Sequence, residues 1–580
     1  MFSQKWQSSP RQYGVLVERN LRIPISQELE LGADVFRPDA AGRFPALLMI
    51  SPYDRGEQSI EMIPEFFPGS QADRGSLEVG DFNFFVRRGY AFVIANLRGT
   101  GDSGSEFGNL DPDPESVRDI AEAIEWLAVQ PWCNGKVAMN GVSYFSVVQK
   151  RAGALAPPSL KAIFAMYGWS DGYRDAYYRG GILAHGFMTY WLQTYAREYR
   201  FRNKLRERWG AEPYLLALKA ALADRELTSV SAIANALHDP DAGINPLVAE
   251  IVLNPLYGDY YKDQAVAFQN TALVPAYLGS DWGNFGLHLA GDIRAYENWR
   301  GPKKLTVGPP IYLDRPLYQY ANESLRWFDH WLKDIDTGLM REAPVNLFVC
   351  GADEWKAAED WPVPGTAFTQ FYLHDGGLLS EHEYWPNEGS HTFEDSPFSH
   401  GSASFSTPEF VENTEICGPI ALKLFGSTTD TEILWFVSLW HIARDGAEDL
   451  LTRGWLRGSQ RELDAERSTP WKPYHTHAKR DLLRAEEIYE FDIELRPYAI
   501  LMHRGERLKL LIKCADNDPA TRFLERLGMG SVARPHASHV TIHHNAVYPS
   551  HLLLPITRGN RIGTFISGGK PRKPFSHGAS

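Results

Sequence analysis

Residues 136–149, KVAMNGVSYFSVVQ, decide how the rest of the chain is read. Val137-Ala138-Met139 is a short β-type run, Asn140-Gly141 is a turn dipeptide, and Val147 and Val148 lie in a helical segment beyond it. The expected path is strand, tight turn, helix, with Ser143 at the apex. A turn of this kind is strained, lifts the serine hydroxyl clear of the strand ends and aims the first amides of the helix at it. A serine hydroxyl attacks a carbonyl carbon only when a base takes its proton and donors receive the oxyanion. The remainder of the chain has to supply both.

Strand and helix patterns alternate around this stretch. The continuous apolar runs 45–50 and 90–95 suit strands buried on both faces. They end in Ser51-Pro52-Tyr53-Asp54-Arg55 and in Asn96-Leu97-Arg98-Gly99-Thr100-Gly101. Residues 119–130 place Ile120, Ile124 and Leu127 on one helical face, and 161–167 form the next strand. This alternation predicts a doubly wound, mostly parallel sheet, with functional groups on loops at the carboxyl ends of its strands. Between 168 and 269 the β pattern lapses, and 190–222 and 228–237 favour helices, which reads as an inserted helical cap. The sheet resumes at 273–278 and 304–307, followed by a helix at 322–333 and a strand at 345–349. Beyond about 350, short alternating strands predict an all-β jelly roll of the galactose-binding-like kind. The expected division is 1–167 with 270–350 for the α/β domain, 168–269 for the cap and 351–580 for the β-sandwich, ending in a solvated tail from about 568.

At 580 residues the chain exceeds what one core can organise. Its formal net charge of −13 argues against nucleic acid and anionic membrane surfaces as partners. Cys133, Cys350, Cys417 and Cys514 show no metal-ligand spacing, so no metal is expected, and they read as reduced thiols of a cytoplasmic protein. No apolar run approaches the ~20 residues of a membrane span, and the N-terminus lacks a basic-then-apolar signal pattern.

Several motifs in order resemble the X-prolyl dipeptidyl aminopeptidase / cocaine esterase (CocE/NonD) family of α/β-hydrolases, in a divergent branch. They are Ser51-Pro52-Tyr53-Asp54-Arg55, the 96–104 stretch NLRGTGDSG, QPWCNGKV at 130–137 leading into Gly141-Val142-Ser143-Tyr144, RWFDHWLK at 326–333, LTRGWLR at 451–457 and RGERL at 504–508. The resemblance implies a hydrolase domain, a helical cap and a C-terminal jelly roll, acting without a cofactor on esters or amides of small acyl groups. Some members cleave X-Pro dipeptides. It also implies Ser143 as nucleophile, with the Tyr144 N–H and the Tyr53 hydroxyl as oxyanion donors. The family's elbow carries a glycine where Ser146 stands here, so a modest shift of the helix is expected.

The family places its acid after the seventh strand and its histidine after the eighth. Here the second segment reads Gly308-Pro309-Pro310-Ile311-Tyr312-Leu313-Asp314, with Tyr312 where the histidine belongs. A phenol with a pKa near ~10 is no base at neutral pH. Residues 270–345 hold two histidines: His330, on the face of an amphipathic helix, and His288, in a glycine-rich loop. His288 is the expected base, weighed against a structural role. Its orienting acid is open between Asp314, favoured because another loop can approach the far side of the ring, Asp281 in the same loop, and Asp171, since triads are defined by geometry. The expected activity is that of a serine hydrolase forming an acyl-enzyme on a small-molecule ester or amide. An X-Pro dipeptidyl-peptidase is one alternative, and would need carboxylates such as Asp171, Asp175 or Glu198 for the substrate amine. A catalytically impaired binding protein on the hydrolase fold is another. A homo-oligomer stays open.

Overall fold

The computed structural model describes residues 6–26, 28–59, 78–196, 199–201, 203–310, 316–382, 388–396, 401–517 and 530–559, the side chains of 316–319 excepted. Tyr312, Asp314, Glu198 and the tail lie outside the described residues.

The first half of the chain builds one sheet. Its strands are β1 (Val15–Pro24), β2 (Glu30–Pro38), β3 (Phe44–Ser51), β4 (Ala91–Asn96), β5 (Cys133–Val142) and β6 (Leu160–Met166). A separate ribbon, β7 (Tyr178–Arg179) with β8 (Ile182–Leu183), follows. The main sheet then continues with β9 (Ala276–Asp281), β10 (Lys303–Gly308), β11 (Val345–Val349) and β12 (Glu354–Ala358). The strand order is β1-β2-β4-β3-β5-β6-β9-β10-β11-β12. Pairing is parallel from β4 through β11 and antiparallel at both margins. Every residue of β3 and β4 is buried, which is why their sequences run apolar without alternation.

Helices cover the sheet: α1 (Arg55–Gln58), α2 (Phe82–Val86), α3 (Pro114–Ala128) and α4 (Tyr144–Leu155). Helix α3 starts at Pro114, five residues before the expected Asp119, because Asp113 caps it through Ser116 N at 2.8 Å and Pro114 opens its first turn. The cap comprises α5 (His185–Tyr195), α6 (Lys204–Trp209), α7 (Ala211–Ala223), α8 (Arg225–Thr228), α9 (Ser231–His238), α10 (Asn245–Leu253) and α11 (Asp259–Lys262). A π turn at Tyr173–Tyr177 and the β7–β8 ribbon precede it. Strands of two residues are too short to carry a period of two and leave no pattern to read. The strand expected at 273 begins at Ala276, after a 3-10 turn at Phe268–Leu273. Helices α12 (Leu289–Asn298) and α13 (Pro316–Lys333) complete the layer.

Among the described residues, eleven strands, from Ala367–His374 to His551–Arg558, make the C-terminal all-β domain. His551–Arg558 pairs with both Ala367–His374 and Thr414–Thr428, so hydrogen bonding runs round a barrel-like closed sheet rather than two separate ones.

A buried ionic cluster fastens this domain to the cap. Arg457, 2% exposed, pairs with Glu226 of α8 and with Glu432 at 3.2 Å, and its Nε donates to Gly181 O at 3.1 Å. Ser459 N also donates to Glu432 at 2.8 Å. Removing one partner of such a cluster strands buried charge. Replacing Arg457 by leucine is expected to destabilise the protein by about 3–5 kcal/mol. Urea denaturation checks this, with a lower midpoint at unchanged slope as the expected result.

Candidate active site

Strand β5 ends at Val142 and α4 begins at Tyr144, with Ser143 between them at φ 59° and ψ −123°. That region costs a non-glycine residue on the order of 1–3 kcal/mol, so its surroundings must impose it. Ser143 N donates to Met166 O at 3.3 Å, and Ser143 O accepts from Ser146 N and Val147 N at 2.9 and 3.1 Å. Gly141 has φ +118°, and a Cβ there would sit 2.7 Å from Phe145 Cβ and 3.2 Å from Glu78 O. Ser146, which stands where the family has glycine, is fully buried against Gly168. A Cβ on Gly168 would meet the Ser146 Oγ at 2.4 Å. The demand for a small residue beneath the turn has thus moved from position 146 to position 168.

The two expected oxyanion donors lie beside the serine turn, the Tyr53 ring packing on those of Tyr144 and Phe145. Tyr144 opens α4, so its N–H belongs to the first turn, which has no acceptor within the helix. Tyr53 lies in the turn after β3, pinned by Tyr53 N to Ser51 Oγ at 3.1 Å and by Asn96 Nδ2 to Tyr53 O at 2.8 Å. Trp191 Nε1 of α5 donates to the Tyr53 hydroxyl at 3.0 Å, which leaves the phenol's own proton for another acceptor. Burial first, then the charge of Glu78, pushes the Tyr53 pKa well above 10, so the phenol stays a donor. The Tyr53 ring also packs against Tyr144, Trp191 and Tyr195, with centroids 5.4–6.2 Å apart.

Glu78 is the residue that sequence reasoning missed. Val142 N donates to Glu78 O at 2.8 Å, Asn140 Nδ2 to Val79 O at 2.9 Å, and Glu78 N to Gln58 Oε1 at 3.2 Å. These bonds lay the residue along the serine turn. Its carboxyl lies close enough to the Ser143 hydroxyl for that group to lower the carboxyl's pKa, and its Oε2 is buried with no hydrogen-bond partner among the described residues. Burial nevertheless pushes the Glu78 pKa up to about 8, with Ser143 pulling the other way. A glutamate in GSLEVGDF carries no motif, and only the fold brings it to the turn.

His288 is placed differently from expectation. It caps α12 with a ring that is fully buried and stacked on Trp169, centroids 5.6 Å apart at 12°. Neither ring nitrogen makes a hydrogen bond to a described residue, so the bond to Ser143 expected of a triad base is not formed. Burial, then the nearby Lys150 charge, pushes its pKa well below 6.5 and keeps it neutral. Lys150 itself forms a fully buried ion pair with Asp292 at 2.5 Å.

Asp281 ends β9 in full burial, and its charge, added to burial, raises the pKa of the Tyr167 and Tyr320 phenols beside it. Phenols thus surround the carboxylate at the family's acid position. Asp171 pairs with Arg174 at 3.4 Å, and Asp175 with Arg294 at 2.6 Å. His330 is partly exposed on α13, edge-on to Trp331. Asp314 lies outside the described residues. Among the described residues no group of His, Cys, Asp and Glu is arranged to hold a metal ion, and no helix is long and apolar enough to cross a membrane.

Comparison with known proteins bears on the family and the fold. Residues 28–311 match the X-Pro dipeptidyl-peptidase (S15 family), and residues 337–553 match the X-Pro dipeptidyl-peptidase C-terminal non-catalytic domain. The chain is 26% identical to a cocaine esterase of Rhodococcus sp., over 93% of this chain and 99% of the other. It is 25% identical to a putative serine esterase of Mycobacterium bovis, over 88% and 93%. A crystal structure of a CocE/NonD family hydrolase from Staphylococcus aureus shares the fold, with a TM-score of 0.74 at 24% identity over 94% of each chain. The chain is a serine hydrolase and belongs to the X-Pro dipeptidyl-peptidase / cocaine esterase family of α/β-hydrolases.

Proposed function

We propose that the chain cleaves an ester or amide of a small acyl group through an acyl-enzyme on Ser143, with Glu78 as proton acceptor. The observation that carries this reading is the Glu78 carboxyl against the Ser143 hydroxyl, beside Tyr53. Ser143 Oγ attacks the carbonyl carbon as the ionised Glu78 takes its proton. The Tyr53 hydroxyl and the Tyr144 N–H receive the oxyanion. Collapse expels the alcohol or amine, which takes the proton back from Glu78. Water then repeats the sequence on the acyl-enzyme, with Glu78 again as base, and releases the acid. No separate oxidant, metal or cofactor enters this balance.

The rings of Trp191 and Tyr195, brought by α5 onto Tyr53, suit an apolar acyl group. Asp171 and Asp175 are engaged by Arg174 and Arg294, so neither is free to receive the amine of an X-Pro substrate. That supports an ester or simple amide over a dipeptide. The four cysteines are free thiols, in keeping with a cytoplasmic setting.

Ser143→Ala is expected to abolish both hydrolysis of a chromogenic acetyl ester and labelling by a fluorophosphonate. Unchanged hydrolysis would reject the nucleophile, and a folded wild type that takes no label would favour a binding protein. Glu78→Gln is expected to lower kcat/KM by about 10²–10⁴, the usual worth of a positioned base. His288→Ala is expected to cost less than about tenfold, far short of a triad member's loss; the reverse ranking would return the base to His288.

The raised pKa of Glu78 sets the pH dependence. Its carboxyl accepts a proton only when ionised, so kcat/KM should climb with pH and level off above about 8. An imidazole base of ordinary pKa would level off near ~7. Stability runs the other way. Below pH 4.5 the group is neutral folded or unfolded; between 4.5 and about 8 the unfolded chain releases its proton and the folded chain keeps it, so this contribution to stability is lost as pH rises through that window. Glu78→Gln is therefore expected to match the wild-type melting temperature at pH 4 and exceed it at pH 9.

A further inference from the structure

A cavity of about 350 Å³ lies where α12 and the π turn meet the β-domain, and it has no part in the chemistry at Ser143. Its lining includes neither Ser143, Tyr53 nor Glu78. We propose that it is a binding site for a small molecule bearing an oxyanion, a carboxylate or a phosphate group.

Two N–H donors without a hydrogen-bond partner among the described residues carry the argument. Arg496 Nε and Trp455 Nε1 belong to residues only 6% and 4% exposed, and both residues line the cavity. Buried donors are almost always satisfied, and each one left bare costs on the order of 1–3 kcal/mol. Two beside one cavity call for an occupant rich in acceptors. The far end of the Arg496 side chain is fixed, which keeps its donor in place. Arg174 Nη1 donates to His475 O at 2.9 Å, and Arg496 Nη2 donates to Arg174 O at 3.2 Å.

The charge of the lining selects an anion over a neutral acceptor. Lys472 and Glu297 pair across the cavity wall, and Arg496 reaches Glu494 at 3.3 Å through Nη1. Arg294 is held by Asp175 at 2.6 Å, and Arg174 has Asp171 at 3.4 Å. Arg467 at the rim has no carboxylate in ion-pair range among the described residues, and lies 3.7 Å from the centre of the Tyr474 ring. A guanidinium over a ring leaves its N–H edge free to grip an oxyanion in fork geometry. His475, only 6% exposed, adds an unpartnered Nε2. With its other nitrogen tied to the Asp492 backbone, that Nε2 can accept from a hydroxyl beside the oxyanion. Arg174, Arg294 and Glu297 come from the hydrolase half, and Trp455, Arg467, Lys472, His475 and Arg496 from the C-terminal half, so an occupant would bind only the assembled pair and stabilise it by mass action.

Isothermal titration calorimetry of the full-length protein, with inorganic phosphate in one arm and citrate in the other, tests the site. At least one anion should bind, and the arm that gives heat identifies the group. Trp455→Phe, which removes a single N–H from the cavity, and Arg467→Ala at its exposed rim should each weaken that binding fivefold or more, while hydrolysis of the acetyl ester stays at the wild-type rate. The bound anion should also raise the melting temperature of the wild type more than that of either variant. Absence of binding in both arms, or affinity unchanged in both variants, would overturn the proposal and leave a cavity filled by water alone.

Discussion

The structure depends on one strained residue. Ser143 can hold φ 59° and ψ −123° only because everything touching the turn is built to leave it no alternative. Gly141 yields the space that Phe145 fills, Gly168 yields the space that Ser146 fills, and the peptide carbonyl of Glu78 receives the Val142 N–H. The sheet supplies the rigidity behind this. Strand β5 lies inside the parallel sheet between β3 and β6, with α4 packed back across it. The strain at Ser143 and the start of α4 at Tyr144, whose N–H has no acceptor within the helix, are one geometric fact, which is why the proposed nucleophile and oxyanion donor arrive together.

Most of the fold was legible because alternation of buried strands and amphipathic helices is a strong signal, and nearly every expected strand was found within a few residues of its place. What escaped notice was short or non-local: the β7–β8 ribbon, the Asp113 cap, the closure of the C-terminal sheet through His551–Arg558, and the Arg457 cluster. The site was half legible. Ser143, Tyr144 and Tyr53 sit at strand ends that the chain order announces. Glu78 sits in a connecting loop, and its placement depends on two hydrogen bonds of its own and one of Val79, to residues 20 or more positions away. A search framed around a histidine had no reason to stop there.

The same framing explains the misplacement of His288. The residue was singled out as a histidine on the catalytic edge of the sheet, and it is near that edge. Its neighbours decide its chemistry instead. Trp169 covers one face, Lys150 contributes like charge, and no carboxylate among the described residues orients the ring. An imidazole that cannot become imidazolium is poorly placed to receive a proton, because the charged form is what a base must reach. Glu78 presents the opposite case. Desolvation lifts its pKa toward the range where a base is both ionised and strong enough to matter.

Seen across the sheet, the proton chemistry proposed here has changed sides. In the family pattern the acid and the histidine follow the seventh and eighth strands, which here are β9 and β10. In this chain the first of those positions is Asp281 among the phenols of Tyr167 and Tyr320, and the second is Tyr312. Phenols stabilise a buried carboxylate by hydrogen bonding but do not relay its charge to a serine at neutral pH. Glu78 instead reaches the serine from the β3–β4 connection, the same connection that carries Tyr53. Acceptor and oxyanion donor then share one wall, and the charge of Glu78 is one of the influences that hold the Tyr53 proton in place. The two cannot be tuned separately: ionising the base strengthens the phenol's hold on the proton it must offer to the oxyanion, so the arrangement works only while that proton is donated rather than lost.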